Sequence, residues 1–71
     1  MTETLCNGLR GERERLGLTQ AELADRVGVS RKTVNTIENR VFAPSALLAI
    51  KLARAVDRAV EDVFWIDSPD R

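Results

Sequence analysis

Reactive and cross-linking side chains are scarce in this sequence. It has no histidine and no tyrosine, and Cys6 is its one cysteine. Cys6 has no second cysteine in the sequence for a disulfide, and one cysteine without histidine supplies too few ligands for a structural zinc site. No nucleophile stands beside a base, and there is no glycine-rich loop of the phosphate-binding type. We expect no metal, no cofactor and no enzymatic activity.

Aromatic residues and long apolar runs are also scarce. Aromatic side chains make up only 4% of the residues, which disfavours a β-sheet protein and favours helices. No apolar run reaches the length of a membrane span, and the first residues lack the basic and apolar regions of a secretory signal. A length of 71 residues fits one domain. The sequence predicts a single soluble, cytoplasmic domain over residues 1–71, with no membrane partner.

The charges balance overall but are unevenly distributed. The formal net charge is zero, which argues against binding nucleic acid through bulk charge. Residues 8–40 hold seven basic and five acidic side chains, whereas residues 57–71 hold two basic and five acidic ones. This mild asymmetry would let one end of the domain face phosphates while the other end faces away.

Helix boundary signals are abundant. Thr19, with Glu22 three residues later, has the pattern of a capping box, and Gly28 is suited to ending a helix. Ser30 and Ser45 are further N-cap candidates. Together these signals predict an all-α fold of five helices over about residues 5–16, 19–28, 31–38, 46–56 and 60–64. After the last helix, residues 65–67 are apolar enough to dock or to pair as a short terminal β-strand.

Apolar spacing predicts which faces are buried. Leu5, Leu9 and Leu16 share one face of the first helix, so we expect them to face the core. The fourth helix is apolar around much of its circumference, and we expect it to be the central helix. The three arginines of the first helix are expected to be solvated or paired with nearby acids: Arg10, Arg13 and Arg15.

The strongest functional pattern lies over residues 19–39. Two short helices are joined there by a tight turn that contains Gly28, which is the helix-turn-helix pattern. Val34 and Ile37 of the second of these helices are expected to point inward. Its outward side chains are hydrogen-bonding or cationic: Arg31, Lys32, Asn35, Thr36 and Asn39. A helix with such a face fits the major groove, where base edges offer a distinctive set of donors and acceptors.

These features resemble the lambda-repressor and Cro-type helix-turn-helix regulators, also called the XRE family. The matching segments are 18–24, 27–31, 33–35, 37–39, 44–45 and 60–64, so the resemblance spans most of the chain. It implies a five-helix, lambda-repressor-like domain that binds double-stranded DNA sequence-specifically. In length and ending, the chain is similar to a compact single-domain subgroup that includes the cytolysin repressor.

The resemblance also implies residue roles. The base-reading positions are Arg31, Lys32 and Thr36, with Asn35 as a secondary candidate. The positions implied to contact the DNA backbone are Gln20, Ser30, Thr33, Asn39 and Arg40. Since arginine and lysine donate well to guanine, we expect at least one G·C pair in each half-site.

The compact subgroup further implies a homodimer. Phe64, Trp65 and Ile66 are the expected dimer interface, within a tail over residues 65–71. A two-fold dimer would place two recognition helices about one DNA turn apart on an inverted-repeat operator. Because the sequence leaves no room for a separate activation domain, we expect the protein to be a repressor.

Three residues depart from the family pattern. Glu12 replaces a usual apolar core residue, and Ala59 replaces a usual Ser or Thr cap. Arg40 replaces a usual glycine, so either Asn39 or Arg40 must take a strained conformation, or the loop differs.

Other interpretations of the same residues stay open. The outward face of the recognition helix would then be an ordinary solvated surface, and Trp65 would cover only its own domain's core. The leading alternative function is an antitoxin or protein-interaction module, which binds a protein partner and contacts DNA only secondarily. The zero net charge and the apolar tail favour that alternative.

Overall fold

The computed structural model describes residues 3–67, which form five helices and two short strands. The helices are α1 (Leu9–Arg15), α2 (Gln20–Val27), α3 (Arg31–Glu38), α4 (Ala46–Ala55) and α5 (Val60–Val63). The strands are β1 (Thr4–Asn7) and β2 (Phe64–Asp67). The five predicted helices are therefore present, but the fold is mostly helical and not strictly all-α. Residues 68–71 of the predicted dimer tail lie outside the described part of the chain.

The two strands form an antiparallel ribbon that joins the ends of the described chain. Leu5 pairs with Ile66, and Cys6 pairs with Trp65. The prediction of a helix from residue 5 was wrong, because residues 4–7 pair their backbone with β2 and α1 begins only at Leu9. The predicted option that residues 65–67 pair as a strand is confirmed.

Asn7 makes the junction between β1 and α1. Its Oδ1 accepts a hydrogen bond from the Leu9 backbone N–H at 3.1 Å, which replaces the side-chain cap that Gly8 cannot supply. Its Nδ2 donates to the carbonyl of Ile37 at 3.0 Å, near the end of α3. The Gly8 N–H donates to the carbonyl of Val63 at 2.9 Å. The ribbon is thus tied both to α3 and to α5.

The core lies between the five helices and is made of aliphatic side chains. Its largest fully buried members are Leu9, Leu23, Val34, Ile37, Leu52, Val56 and Val63. Leu5 and Leu16 were expected to join Leu9 there, but they are 37% and 38% exposed. Arg13, one helical turn after Leu9, takes the buried position on α1 instead.

The helix-turn-helix unit, residues 19–39, is built as predicted. Thr19 and Glu22 form a reciprocal capping box at the start of α2. Gly28 ends α2 with a left-handed backbone (φ 78°), which reverses the chain without a Cβ clash. The Ser30 hydroxyl accepts a hydrogen bond from the Thr33 N–H at 3.1 Å and caps α3. Local chemistry is therefore enough to set the boundaries of both helices.

The loop after α3 turns at Arg40. This residue has a left-handed backbone (φ 61°), while Asn39 keeps an ordinary φ of −88°. A non-glycine residue in this conformation costs on the order of 1–3 kcal/mol. Three backbone N–H groups hold the loop to α3, including that of Val41, which donates to the Thr36 carbonyl at 2.8 Å. Of the alternatives that the sequence left open, the left-handed conformation therefore falls on Arg40 and not on Asn39.

Helix α4 buries one face only. Leu52 and Ala53 are fully buried, whereas Leu47 is 70% exposed and Ile50 is 43% exposed. Helix α4 was expected to be the central helix, but its N-terminal half exposes apolar side chains, because in the described residues no other element covers that side. No helix within residues 3–67 is both long and apolar enough to span a membrane.

Candidate nucleic-acid interface

The predicted base-reading residues all lie on the outward side of α3. Arg31, Lys32 and Asn35 are exposed, and Thr36 is half-buried. The opposite side of the helix is anchored by Val34 and Ile37, which are fully buried. Helix α3 therefore presents these four side chains together on a rigid support.

The predicted backbone-contacting residues lie around that surface. Ser30 and Thr33 are at the N-terminal end of α3, and Asn39 and Arg40 are at its C-terminal end. The eight residues of α3 span about 12 Å, which is similar to the width of a major groove. Hydrogen-bonding groups thus flank the base-reading surface at both ends of the helix.

Gln20 stands at the first position of α2, beside the start of α3. It lines a shallow depression together with Thr19 and Arg31. The unpaired N–H groups of a helix N-terminus and a nearby guanidinium both favour an anion. This combination fits the phosphate-contacting role that the sequence predicts for Gln20.

A chain of side-chain hydrogen bonds links the predicted backbone and base contacts. Asn39 Nδ2 donates to Asn35 Oδ1 at 3.3 Å, and Asn35 Nδ2 approaches Gln20 Oε1 at 3.5 Å. Gln20 Nε2 donates to Glu38 Oε1 at 3.0 Å. The amides of α2 and α3 are therefore oriented before any ligand binds, and Glu38 holds the end of the chain.

Glu38 is itself held by a buried ion pair that the sequence did not reveal. Arg13 Nε donates to Glu38 Oε2 at 2.7 Å, and Arg13 Nη2 donates to Glu38 Oε1 at 3.2 Å. The Arg13 side chain is 9% exposed and that of Glu38 is 2% exposed. Arg13 Nη1 also donates to the carbonyl of Leu18 at 2.8 Å. The hydrogen bonds to Glu38 raise the pKa of Arg13, so the guanidinium stays charged. Its contacts join α1, the α1–α2 turn and α3.

Arg13 was expected to be solvated or paired with a nearby acid, but its partner lies 25 residues away. A signal for this pair does exist in the sequence, because Arg13 falls one turn after Leu9 and Glu38 falls one turn after Val34. Both charged residues therefore continue an apolar face. Arg10 and Arg15 behave as predicted, since Arg10 pairs with Glu14 and Arg15 pairs with Glu12 of the same helix.

Hydroxyl groups on α3 are partly used within the helix. The Thr36 hydroxyl donates to the Thr33 carbonyl at 2.9 Å, and the hydroxyls of Ser30 and Thr33 lie 2.9 Å apart. Thr36 is therefore left with acceptor lone pairs and a methyl group for contact with a ligand. A base edge that carries an amino group or a methyl group would suit it.

The predicted dimer residues differ in their exposure. Phe64 is buried and belongs to the domain's own core, whereas Trp65 is 45% exposed and Ile66 is 59% exposed. The Trp65 ring passes over Gly8, where an added Cβ would lie 3.6 Å from Cη2. Part of the Trp65 side chain thus packs against its own domain, and the rest of that side chain is exposed to solvent. Among residues 3–67, the acidic and thiol side chains form no cluster of three that could hold a metal ion.

Comparison with known proteins places the chain in a family. A helix-turn-helix family model matches residues 9–63. An HTH-type transcriptional regulator of Methanothermobacter thermautotrophicus is 48% identical over 60 residues, which cover 83% of this chain and 87% of that one. The HTH-type transcriptional regulator YgzD of Bacillus subtilis is 43% identical over 61 residues, which cover 86% of this chain and 92% of that one.

Solved structures agree with this assignment. A hypothetical transcription factor from Neisseria has a TM-score of 0.72 and 28% identity, covering 76% of this chain and 62% of that chain. The restriction-modification controller protein C.AhdI from Aeromonas hydrophila has a TM-score of 0.72 and 33% identity, covering 76% of this chain and 78% of that chain. The chain therefore belongs to the helix-turn-helix family of XRE (Cro/C1) type, a family of DNA-binding transcription regulators.

Proposed function

We propose that this protein binds operator DNA sequence-specifically, with α3 in the major groove. The observation that carries the proposal is the arrangement of α3. Its outward side chains are polar or cationic, and its inward side is locked by Val34, Ile37 and the Arg13–Glu38 pair. A rigidly supported helix of this kind holds its donors at fixed positions, which base discrimination requires.

We assign base contacts and phosphate contacts to different residues of this surface. Arg31 and Lys32 read guanine, while Thr36 and Asn35 contact neighbouring base edges. The backbone phosphates are held by five other residues: Gln20, Ser30, Thr33, Asn39 and Arg40. Phosphate contacts set the position of the helix, and the base contacts provide specificity.

We further propose that the protein works as a homodimer on an inverted-repeat operator. The apolar surface of Trp65 and Ile66 supports this, because these two large side chains remain exposed at one end of a small domain. Phe64 is buried in the domain's own core, so the interface that we propose is formed by Trp65 and Ile66 without it. A two-fold dimer would place two recognition helices on one face of the DNA.

The mode of action proposed is repression by occupancy. A bound dimer would block access of the transcription machinery to the promoter, and no catalysis is involved. In bacteria and archaea, such as the organisms of the relatives named above, the chromosome lies in the cytoplasm. We therefore place the protein there.

Selection of bound sequences from a random DNA pool at near-physiological salt tests the proposal. The wild-type protein should enrich an inverted repeat with half-sites about one turn apart and at least one G·C pair in each. The Arg31→Ala variant should enrich sequences that have lost the preference at one position. Arg10→Ala, which removes an exposed arginine of α1, is the matched control and should enrich the wild-type sequence.

A folded protein that enriches no sequence would overturn the proposal. The exposed Leu47 and Trp65 would then favour the alternative of a protein-interaction module or antitoxin, in which these apolar side chains meet a partner protein. A stable partner that co-purifies at fixed stoichiometry would support that alternative.

A further inference from the structure

An apolar groove lies beside the base-reading surface of α3. Its volume is about 390 Å³, and it runs between α3 and the loop that follows it. Lys32, Thr33 and Thr36 line one side, and Val41 and Phe42 line the other. Most of the exposed surface in the groove is carbon. The α3 side therefore belongs to the proposed DNA contact, while Val41 and Phe42 on the loop side have no role in it so far.

Val41 and Phe42 are unusually exposed for large apolar side chains. Val41 is 77% exposed and Phe42 is 49% exposed. Both backbone N–H groups donate to the carbonyl of Thr36, at 2.8 and 3.2 Å. The loop is therefore anchored to α3 itself. When α3 enters the major groove, Val41 and Phe42 are held next to the DNA as well.

The same hydrogen bonds limit which chemical groups the loop side of the groove can bind. Because the N–H groups of Val41 and Phe42 are already used, this part of the loop has no backbone donor for a phosphate oxygen. Lys32 is the one cation among the groove residues, and it stands on the helix side. The loop side therefore suits an apolar group that is presented next to a base edge.

We propose that Val41 and Phe42 receive the 5-methyl group of a thymine, in the base pair next to the one that Lys32 reads. This inference rests on the proposed DNA-binding function and deepens it. Thymine is the one standard base with a methyl group in the major groove, and phenylalanine and the threonine methyl are side chains that contact it. The groove is continuous with Lys32 and Thr36, so α3 and the methyl contact act on the same half-site.

Replacing thymine by deoxyuridine tests this contact, because it removes the methyl group and leaves base pairing intact. Each thymine of the selected half-site is replaced singly, and the dissociation constant is measured by fluorescence anisotropy. The wild-type protein should lose about fourfold in affinity at one position, as expected for burial of one methyl group. Val41→Ser, which removes both methyl groups of the side chain, and Phe42→Ala should bind more weakly and should show a smaller deoxyuridine penalty at that position.

Leu16→Ala is the matched control, because Leu16 is also partly exposed and lies outside the groove. This variant should keep the full deoxyuridine penalty. Circular dichroism should show that all three variants fold, since none of the three side chains is buried.

Three results would overturn the inference while the proposed function stands. These are a selected half-site without thymine, no penalty at any thymine, and a penalty that Val41→Ser and Phe42→Ala leave unchanged. The last result would assign the methyl group to another side chain. Absence of any sequence-specific DNA binding would instead overturn the proposed function, and the inference would fall with it.

Discussion

The helix-turn-helix unit (residues 19–39) and the β1–β2 ribbon expose opposite kinds of side chain. The outward face of α3 offers amides, hydroxyls and cations, with its apolar residues fully buried beneath. The ribbon exposes Leu5, Trp65 and Ile66, and Leu5 lies directly opposite Ile66. A polar surface on rigid backing suits base edges, whereas an apolar pair at the domain end suits another protein chain.

If α3 reads DNA and the ribbon forms the dimer interface, as we propose, recognition and association are carried by different surfaces of one small domain. The Arg13–Glu38 pair lies behind α3, and the Asn7–Gly8 junction lies beneath the ribbon and links it to the Ile37 carbonyl of α3 and to α5. Variants in one region should therefore affect DNA reading, and variants in the other should affect subunit assembly. The predictions below test this separation.

The largest effect is expected from breaking the buried ion pair. Glu38→Ala leaves the Arg13 guanidinium buried without its partner, which should lower the free energy of unfolding by about 3–5 kcal/mol. Urea denaturation followed by circular dichroism measures this change. The double variant Arg13→Met/Glu38→Leu should recover much of the loss, because it leaves no unpaired charge.

The exposed pair Arg10–Glu14, with 3.8 Å between its charged atoms, is the control for that experiment. Arg10→Met should change the free energy of unfolding by about 1 kcal/mol or less. If Glu38→Ala lowered the free energy of unfolding no more than Arg10→Met does, the stability of the domain would not depend on the ion pair behind α3.

Within the helix-turn-helix unit, the two kinds of DNA contact should separate. Arg31→Ala should weaken binding to the selected operator by about 1–3 kcal/mol and relax the preference at one base pair. Gln20→Ala should weaken binding to all sequences to a similar degree, since a phosphate contact carries no sequence information. Anisotropy titrations against operator and scrambled DNA distinguish these outcomes. Equal behaviour of the two variants would contradict the assigned roles.

In the ribbon, Trp65→Ala should shift the dimer toward monomer. We expect the dimer dissociation constant to rise about five- to thirtyfold, as for loss of an aromatic interface residue worth roughly 1–2 kcal/mol. Sedimentation equilibrium measures this shift, with Leu16→Ala as the control. An unchanged sedimentation profile would mean that Trp65 serves only its own fold over Gly8.

A small stabilisation is expected at Gly11, away from both surfaces. A Cβ added there meets no other atom within 4 Å, and Gly11 lies inside α1. Gly11→Ala should therefore stabilise the domain by about 0.5–1 kcal/mol, seen as a higher melting temperature. DNA affinity should stay unchanged. A lower melting temperature would show that α1 needs glycine at this position.

Acid should weaken the fold through two carboxylates. The hydrogen bond from Arg58, followed by that from Arg15, lowers the pKa of Glu12, and the Thr19 backbone N–H lowers the pKa of Glu22. A carboxyl whose folded pKa is lowered stabilises the protein above its ordinary value of 4.5, and this stability is lost as the pH falls through the lower folded value.

Denaturant titrations between pH 7 and pH 3 test this effect. The free energy of unfolding should stay level near neutral pH and fall below about pH 4.5. Glu22→Gln keeps a carbonyl acceptor for the capping box but does not titrate. The variant should therefore lose less of its free energy of unfolding in acid than the wild type does. Identical acid profiles would contradict the role given to Glu22.

The boundaries of the helix-turn-helix unit could be predicted because they depend on local chemistry. Thr19, Ser30 and Gly28 each act on backbone groups within a few residues, and such contacts are visible in the sequence. The outward position of Arg31, Lys32, Asn35 and Thr36 followed from the period of α3. At the turn after α3, the sequence left open whether Asn39 or Arg40 is strained or the loop differs, and the left-handed residue is Arg40.

The features that were missed depend on contacts between distant parts of the chain. The first four-residue strand forms only because β2, some 60 residues later, supplies its partner. Arg13 is buried only because α3 brings Glu38 to it. The exposure of Leu47 on α4 depends on how far the other helices reach, which periodicity does not reveal.

The separation of a reading surface from an association surface is tested most directly by changing the operator's spacing. Five base pairs are inserted between the two selected half-sites, which turns one half-site to the opposite face of the DNA. The account predicts that affinity falls roughly hundredfold or more, to the value of a single half-site. Unchanged affinity would contradict it, because one α3 alone would then carry the binding.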